Sequence, residues 1–490
     1  MAYTFQTFVQ NLPWLPPKHE RRKATNPFKL MTMLTPLQWC FFLAGWFAWI
    51  IDAIDFFAVS LASTRLATYF HKTAADVSLA ITLTLLLRGV GALIFGLLSD
   101  RYGRKWPLIA NLLLLAIVSL GTGFIKTFKQ FLGVRALFGC LMGGPWGMAV
   151  SLALENMPVE CRGLFSGLIQ LGYPTGYLVI ACINLNKHVA AVTGWRNLFY
   201  AGAAFSTFAA VFRLVLPEST WFAEQKRLQK ASGVETTESR KNTLFLREVG
   251  RMARRHWVRC VYGILFMSAF NFYSHGSQDL YPTYLQKSKG LSAHQSTVIT
   301  IISNVGSICG CFLGGWISQF LGRRLTMIAF ALFMGCMIPL WLIPDTFSGL
   351  AAGGFFVQFG VQGAYGIVPV YLSEISPPAF RAMWPGVAYQ VGNMVASASA
   401  QIEATAGERL KDPKTGLPEY GRVSAILIGA AAGVLILLCL FGLEQHSSHY
   451  EEEAPAFAVG PEKYFDDTHD GDHKHETVHM EEATPRAHRV

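Results

Sequence analysis

A chain of 490 residues that is 52% hydrophobic and only 15% charged lacks the surface of a soluble protein, which would carry about a quarter charged residues. Its apolar residues run in blocks of about 20, the length a helix needs to cross a bilayer, so a polytopic membrane protein is expected. The formal net charge of +10 divides unevenly: residues 444–490 hold twelve acids and four bases, and the excess left on the rest suits an anionic lipid leaflet rather than nucleic acid.

In chain order, an arm over 1–36 is polar, Pro-rich and basic (PPKHERRK), without the short apolar stretch and cleavage site of a cleavable signal. Six predicted spans follow at 37–61, 77–99, 106–125, 131–154, 163–183 and 196–216. A linker at 217–256 precedes six more at 257–285, 295–320, 326–344, 348–372, 384–404 and 422–443. The tail, 444–490, is acidic and His-rich (His469, His473, His475, His479), and with nothing to hold those imidazoles in place a solvated segment is expected there rather than a metal site. The reading is thus an all-α membrane protein of two six-helix bundles, 37–216 and 257–443. With a cytoplasmic start, the arm and inner loops hold 22 Lys and Arg against 12 in the outer loops, which places both termini in the cytoplasm. The nine Cys lie in or beside spans and read as small packing residues.

The two halves repeat at a constant offset of 219 residues. Gly96, Gly103, Arg104 and Lys105 in GLLSDRYGRK match Gly315, Gly322, Arg323 and Arg324 in GWISQFLGRR; Glu155, Pro158 and Arg162 match Glu374, Pro377 and Arg381. Internal repeats in transporters place the binding site at the repeat interface. Asp100, Arg101, Arg104, Glu155, Arg162, Glu374 and Arg381 fall at inner helix ends and are read as a conformational latch. Gln319 stands where the first half has Asp100, so the second latch is expected to lack that carboxylate.

The stretch NFYSHGSQDLYPT, from Asn271 to Thr283, interrupts the seventh predicted span with polar groups. Asn271, Ser274, His275 and Gln278 lie at i, i+3, i+4 and i+7 on one helical face, with Asp279 at its shoulder and Thr283 one turn on. An Asp at mid-bilayer costs about 2.5–3.5 kcal/mol even on a lenient insertion scale, so this face is expected to meet protein or water, not lipid. By the repeat, Asn271 falls on Asp52 and Ser274 on Asp55. Arg88, at the middle of the second span, offers a two-pronged fit to a carboxylate, or a permanent partner for Asp52 or Asp55. Arg135 in the fourth span is read as a coupling residue or as a structural partner of the same acids. Gln390, Asn393 and Ser397 form a second stripe, and Gln170, Tyr173 and Tyr177 a third, with selectivity as the functional reading and helix–helix contact as the plainer one.

GLLSDRYGRK, RALFGCLMGG from Arg135 and PESTW from Pro217 resemble signatures of the major facilitator superfamily, across all twelve spans. More narrowly, N-x-x-S-H-x-S-Q-D-x-x-x-T, met at Asn271, Ser274, His275, Ser277, Gln278, Asp279 and Thr283, resembles the helix 7 signature of the fungal Jen-type lactate/pyruvate–proton symporters. The resemblance implies alternating access at the plasma membrane, a small carboxylate and a proton as partners with the bilayer, no cofactor and a functional monomer. Arg88, Asn271, Ser274, His275, Gln278, Gln390 and Asn393 are then expected to bind substrate. His275, Asp279, Asp52, Asp55 and Arg135 are expected to serve the proton. Short monocarboxylates are the expected cargo, with lactate and pyruvate first and acetate as a further candidate. A dicarboxylate carrier and a non-transporting nutrient receptor are the alternatives. No nucleophile, metal or cofactor motif suggests an enzyme.

Overall fold

The computed structural model describes residues 25–154, 157–191, 193–218, 227, 250–251, 253–376, 383–411 and 416–442, except the side chains of residues 74, 100, 187 and 190. Among the described residues there are twelve helical spans. Seven are continuous: α1 (Pro36–Phe70), α2 (Ala74–Tyr102), α3 (Lys105–Thr122), α6 (Trp195–Val215), α8 (Ala293–Leu321), α9 (Arg323–Leu342) and α12 (Tyr420–Phe441). Five come in two pieces: α4 (Phe128–Met142, Pro145–Leu154), α5 (Arg162–Gln170, Gly172–Asn184), α7 (Trp257–Gln278, Tyr281–Lys287), α10 (Phe347–Tyr365, Val368–Ile375) and α11 (Met383–Ala396, Ser399–Arg409). Most of the 1–36 arm, the 217–256 linker and the whole 444–490 tail lie outside the described residues.

The repeat is written into the helix ends. Thr73 and Asp76 make a reciprocal capping box at the start of α2, and Ser292 and Gln295 make the same one at the start of α8, 219 residues later. Each side-chain oxygen satisfies a backbone N–H that the helix itself cannot. Both helices end on glycines with positive φ, Gly103 at 101° and Gly322 at 91°, a backbone region closed to residues with a Cβ. The break in α7 sits just before Pro282, which supplies no N–H to continue the ladder. The break in α4 falls at Gly143–Gly144, ahead of Pro145.

Ten of the spans are long and apolar enough to cross a membrane by length and composition, and the two that fall short are α7 and α11, which carry the polar stripes of the second half. Burial orders the bundle. The apolar cores of α1, α4 and α10 are 78%, 89% and 83% buried, against 33% for α9 and 44% for α6 and α12. The outer helices expose Leu, Ile, Val and Phe side chains such as Ile117, Phe208, Leu332 and Ile426, the surface that hydrocarbon tails would cover. The centre therefore belongs to α1, α4, α7 and α10, while α2 packs on α11 and α5 on α8 to join the halves.

Glycines set how closely those elements approach. A Cβ on Gly91 would lie 1.7 Å from the Cys140 carbonyl oxygen, and one on Gly143 1.9 Å from that of Arg88, so α2 and α4 touch backbone to backbone. Between the halves, a Cβ on Gly315 of α8 would meet the Gly163 oxygen and the Gly167 Cα of α5, both at 2.7 Å.

The halves are tied at both ends. On the side holding the described chain ends, Gly163 N–H donates to Gln319 Oε1 (3.0 Å), and Ser166 Oγ donates to the Gly366 carbonyl (2.8 Å) while accepting from Val370 N–H (3.0 Å). On the opposite side Ser63 and Thr283 share a hydrogen bond of 3.0 Å, Ser78 Oγ donates to Gln401 (2.8 Å), and Asn184 Nδ2 donates to Thr297 (3.2 Å).

Candidate functional site

The two polar stripes of the second half meet at a single imidazole. His275 Nδ1 lies 3.1 Å from both carboxylate oxygens of Asp279, one turn along α7 and next to its break. Its Nε2 lies 3.0 Å from Oδ1 of Asn393 on α11. Asn393 Nδ2 donates to Gln390 Oε1 (2.8 Å), and Gln390 Nε2 donates to the Gly143 carbonyl at the α4 break (3.4 Å). A chain of five groups thus runs from a carboxylate in the second half to the backbone of the first.

Asn271 and Gln278 are oriented by α10. Asn271 accepts from Tyr365 OH (2.6 Å) and donates to the Tyr389 carbonyl (3.2 Å). Gln278 Nε2 donates to Gln358 Oε1 (2.9 Å), Gln358 Nε2 to Ser277 Oγ (3.0 Å), and Gln362 Nε2 to Ser274 Oγ (3.4 Å). The α7 stripe faces protein throughout, as its cost in lipid requires. Gln358 and Gln362, spaced i, i+4 in the tenth predicted span, were not singled out by the sequence reading, although that spacing puts both on one face.

The first half supplies the cations. Arg88 is fully buried; its Nη2 lies 3.8 Å from Asp52 and contacts the Met142 sulfur, while its Nε and Nη1 have no hydrogen-bond acceptor. The guanidinium carbon sits 5.2 Å from the centre of the Phe56 ring, and the same ring meets His275 edge-on at 5.5 Å. Phe56 and His275 are repeat partners, 219 residues apart, so their contact marks the axis relating the halves. Position by position, the first half carries Arg88 and Arg135 where the second has Ser307 and Gly354, and the second carries His275 and Asp279 where the first has Phe56 and Ser60. The two halves have divided the charges between them.

Asp52 and Asp55 separate. Asp52 turns to Arg88, whereas Asp55 turns away from the partner half, towards Gly202 of α6, where a Cβ would meet its Oδ1 at 2.1 Å. Arg135 joins it there, donating to the Asp55 carbonyl (3.4 Å) and to Thr122 (3.5 Å), with its guanidinium carbon 4.1 Å from the Phe138 ring centre and 5.0 Å from that of Phe199. Asp55, expected beside Asp52 to serve the proton, thus lies inside the first bundle, where Gly202 leaves room for it.

Stacked aromatic rings join α1, α4, α5 and α11. Tyr173 stacks on Trp49 (5.0 Å), Tyr177 on Phe57 (3.7 Å) and Tyr389 of α11 on Trp146 of α4 (4.3 Å). The hydroxyls of Tyr173 and Tyr177 have no hydrogen-bond partner among the described residues, whereas Gln170 accepts from Trp146 Nε1 (3.5 Å) and Ser397 donates to the Met394 carbonyl (2.7 Å).

The positions read as a latch lie at the helix ends. Arg323 forks onto Glu374 with bonds of 3.1 and 2.9 Å, both side chains buried. Gln319, lacking charge, still accepts from Arg323 (3.2 Å) as well as from the Gly163 amide across the interface, so neutrality at this position leaves it able to bridge the halves. In the first half Glu218 of the PESTW stretch accepts from the amides of Arg104 (3.0 Å) and Lys105 (3.2 Å), an anion at the positive end of α3. Arg101 lies over the Tyr102 ring and Arg162 donates to the Met157 carbonyl (3.3 Å). Glu155, Arg381 and the Asp100 side chain lie outside the described residues.

The sequence reading also passed over Glu403, at the last turn but one of α11, 1% exposed and hydrogen-bonded through Oε2 to Ser424 (2.9 Å). A carboxylate inside a predicted span was the available signal.

Comparison with known proteins agrees with this architecture. The profile of the Major Facilitator Superfamily matches residues 40–400. A carboxylic acid transporter protein homolog of Saccharomyces cerevisiae is 32% identical over 430 residues, covering 85% of this chain and 70% of its own. A cis,cis-muconate transport protein of Acinetobacter baylyi is 26% identical over 361 residues, covering 73% of this chain and 84% of its own. Among solved structures, the proton:xylose symporter XylE bound to 6-bromo-6-deoxy-D-glucose superposes with a TM-score of 0.67 at 17% identity, over 85% of this chain and 98% of XylE, a likeness of fold. Twelve spans in two repeated bundles, the signature loops and a relative of this similarity together make the chain a member of the major facilitator superfamily, of its Jen-type branch, and so a membrane transporter rather than an enzyme.

Proposed function

We propose that the chain is a proton-coupled symporter that carries short monocarboxylates, with lactate and pyruvate foremost and acetate beside them, into the cell across the plasma membrane, as a monomer with both termini in the cytoplasm. The observation that carries the reading is the pairing of Arg88 and His275 on one ring, Phe56, at the axis between the halves. Arg88 keeps Nε and Nη1 without acceptors on either side of Nη2, which lies 3.8 Å from Asp52, so a carboxylate that displaces Asp52 would find a fork of Nη2 with one of them. His275 links that place to Asp279, and imidazole is the side chain whose ordinary titration spans the pH of a mildly acidic medium. The relatives named for carboxylic acid and muconate transport are in keeping with an organic-acid cargo.

An anion moving inward works against an interior-negative potential at about 2.3 kcal/mol per charge per 100 mV, and one accompanying proton removes that cost for a monocarboxylate. In the proposed cycle the substrate carboxylate takes Nη2 of Arg88 in place of Asp52, together with the unpaired donor beside it. Asn271, Ser274 and Gln278, held by α10, orient the remaining oxygens, and Gln390 and Asn393 join the imidazole to the other half. His275 and Asp279 hold the proton, with Asp52, Asp55 and Arg135 adjusting charge in the first half. The bundles rock about the site, opening and remaking the hydrogen bonds at each end in turn.

Uptake of labelled lactate in a yeast host lacking its own carboxylate carriers tests the reading. Accumulation at pH 5 well above that at pH 7, competed by pyruvate and acetate and not by succinate, is expected. Competition by succinate alone would make the cargo a dicarboxylate, and binding without accumulation would make the protein a receptor.

A further inference from the structure

Four acids are buried between the helix ends of the described spans, Asp52, Asp55, Asp279 and Glu403, and three of them have a basic neighbour: Arg88, Arg135 and His275 respectively. Glu403 has none. Its Oε2 accepts from Ser424 of α12, and its Oε1 has no hydrogen-bond partner. It packs on Gly276 of α7, where a Cβ would come within 3.3 Å of Oε1. Asp279 lies one turn further along that α7 face and acts on Glu403 electrostatically. Among the elements packed against this piece of α11, α7 brings His275 and Asp279 and α12 brings the Ser424 hydroxyl. α2 brings Asp76 at its exposed start and Arg88, which is engaged with Asp52.

The repeat shows what a purely structural residue looks like here. The first-half counterpart of Glu403 is Asn184, a neutral amide that accepts from Arg65 and donates to Thr297. The counterpart of Arg65 is Tyr284, whose hydroxyl goes to the carbonyls of Trp341 and Leu342. The second half thus replaced the amide by a carboxyl and the cation by a phenol. An acceptor for Ser424 needs no ionisable group, and a carboxylate buried without a cation costs several kcal/mol unless it carries a proton. Gly276, on which Glu403 packs, adjoins His275 in the chain and lies one turn before Asp279, so Glu403 stands beside that pair.

We propose that Glu403 is a second proton station of the carrier, exchanging a proton with the Asp279–His275 pair, with Gly276 leaving the space that lets the carboxyl and α7 approach. This rests on the symport reading above and adds a second group that carries the coupled proton. In proteoliposomes of the full chain, Glu403→Gln keeps the acceptor for Ser424 and cannot titrate. Lactate accumulation against a two-unit pH gradient, up to about a hundredfold for one coupled proton, is expected to collapse to about one. Lactate counterflow, which needs no net proton movement, is expected to stay within about twofold of the parent protein. Ser424→Ala removes a donor that favours the charged carboxyl and is expected to move half-maximal uptake to higher pH, while Glu403→Asp restores part of the accumulation. Undiminished accumulation in Glu403→Gln overturns the proposal, and so does an unmoved pH profile in Ser424→Ala should the Gln variant not reach the membrane. A parent protein that carries no lactate overturns the symport reading and this proposal together, a result the Glu403 variants alone cannot produce.

Discussion

Arg88 shows why burial, rather than charge, decides what a single side chain can do here. A guanidinium in water adds little to an ion pair, but one fully buried with two unaccepted donors has strong reason to take a carboxylate. Arg88→Lys keeps the charge opposite Asp52 and loses the fork. It is expected to reach the membrane and to raise the lactate KM by about tenfold or more, about 1.4 kcal/mol, in an uptake assay. His275→Ala is expected to lower uptake and flatten its dependence on pH while surface expression persists; unchanged uptake at every pH would remove His275 from the coupling scheme. These residues were legible in the sequence because polar groups inside apolar blocks stand out. Their partners were less so: Gln358, Gln362, Tyr365 and Phe56 are unremarkable one at a time, and only the packed helices show that they orient the stripe or separate the cation from the imidazole. The division between Asp52 and Asp55 was hidden for the same reason, since Gly202 lies on a helix 147 residues away.

The helices themselves were largely readable, their interruptions less so. All twelve predicted spans correspond to helices, but the seventh is two pieces, and the break leaves Asp279 at the end of the first piece beside His275. Pro282 announced it; the hydrophobic pattern alone did not. Contacts between elements depend on glycines whose reason appears only when the backbones meet. Gly315→Ala places a methyl against the α5 backbone at Gly163 and Gly167, where neither neighbour is a side chain that can swing aside. A cost of about 1–3 kcal/mol to the closed contact is expected. The measurable result is slower uptake and faster maleimide labelling of the buried Cys311 from the side of the termini, and parent-like labelling would show that α5 and α8 do not close that side.

At the scale of the molecule the offset of 219 was the most informative feature of the sequence, because it survives in caps and positive-φ glycines alike. The sequence could not show that both ends are tied in the same structure, which is a matter of tertiary hydrogen bonds. Cysteines at Ser63 and Thr283, whose hydroxyl oxygens lie 3.0 Å apart, are expected to form a disulfide that stops uptake and to release it on reduction; transport persisting in the oxidised protein would mean that this end need not open. The central claim is that the polar face of α7 gathers an organic acid together with its proton. The most direct test is to add lactate to proteoliposomes in weakly buffered medium and follow external pH and lactate entry together. The account predicts alkalinisation of about one proton per lactate, lost in His275→Ala. Lactate entry with no proton movement, or full coupling in the variant, would contradict it.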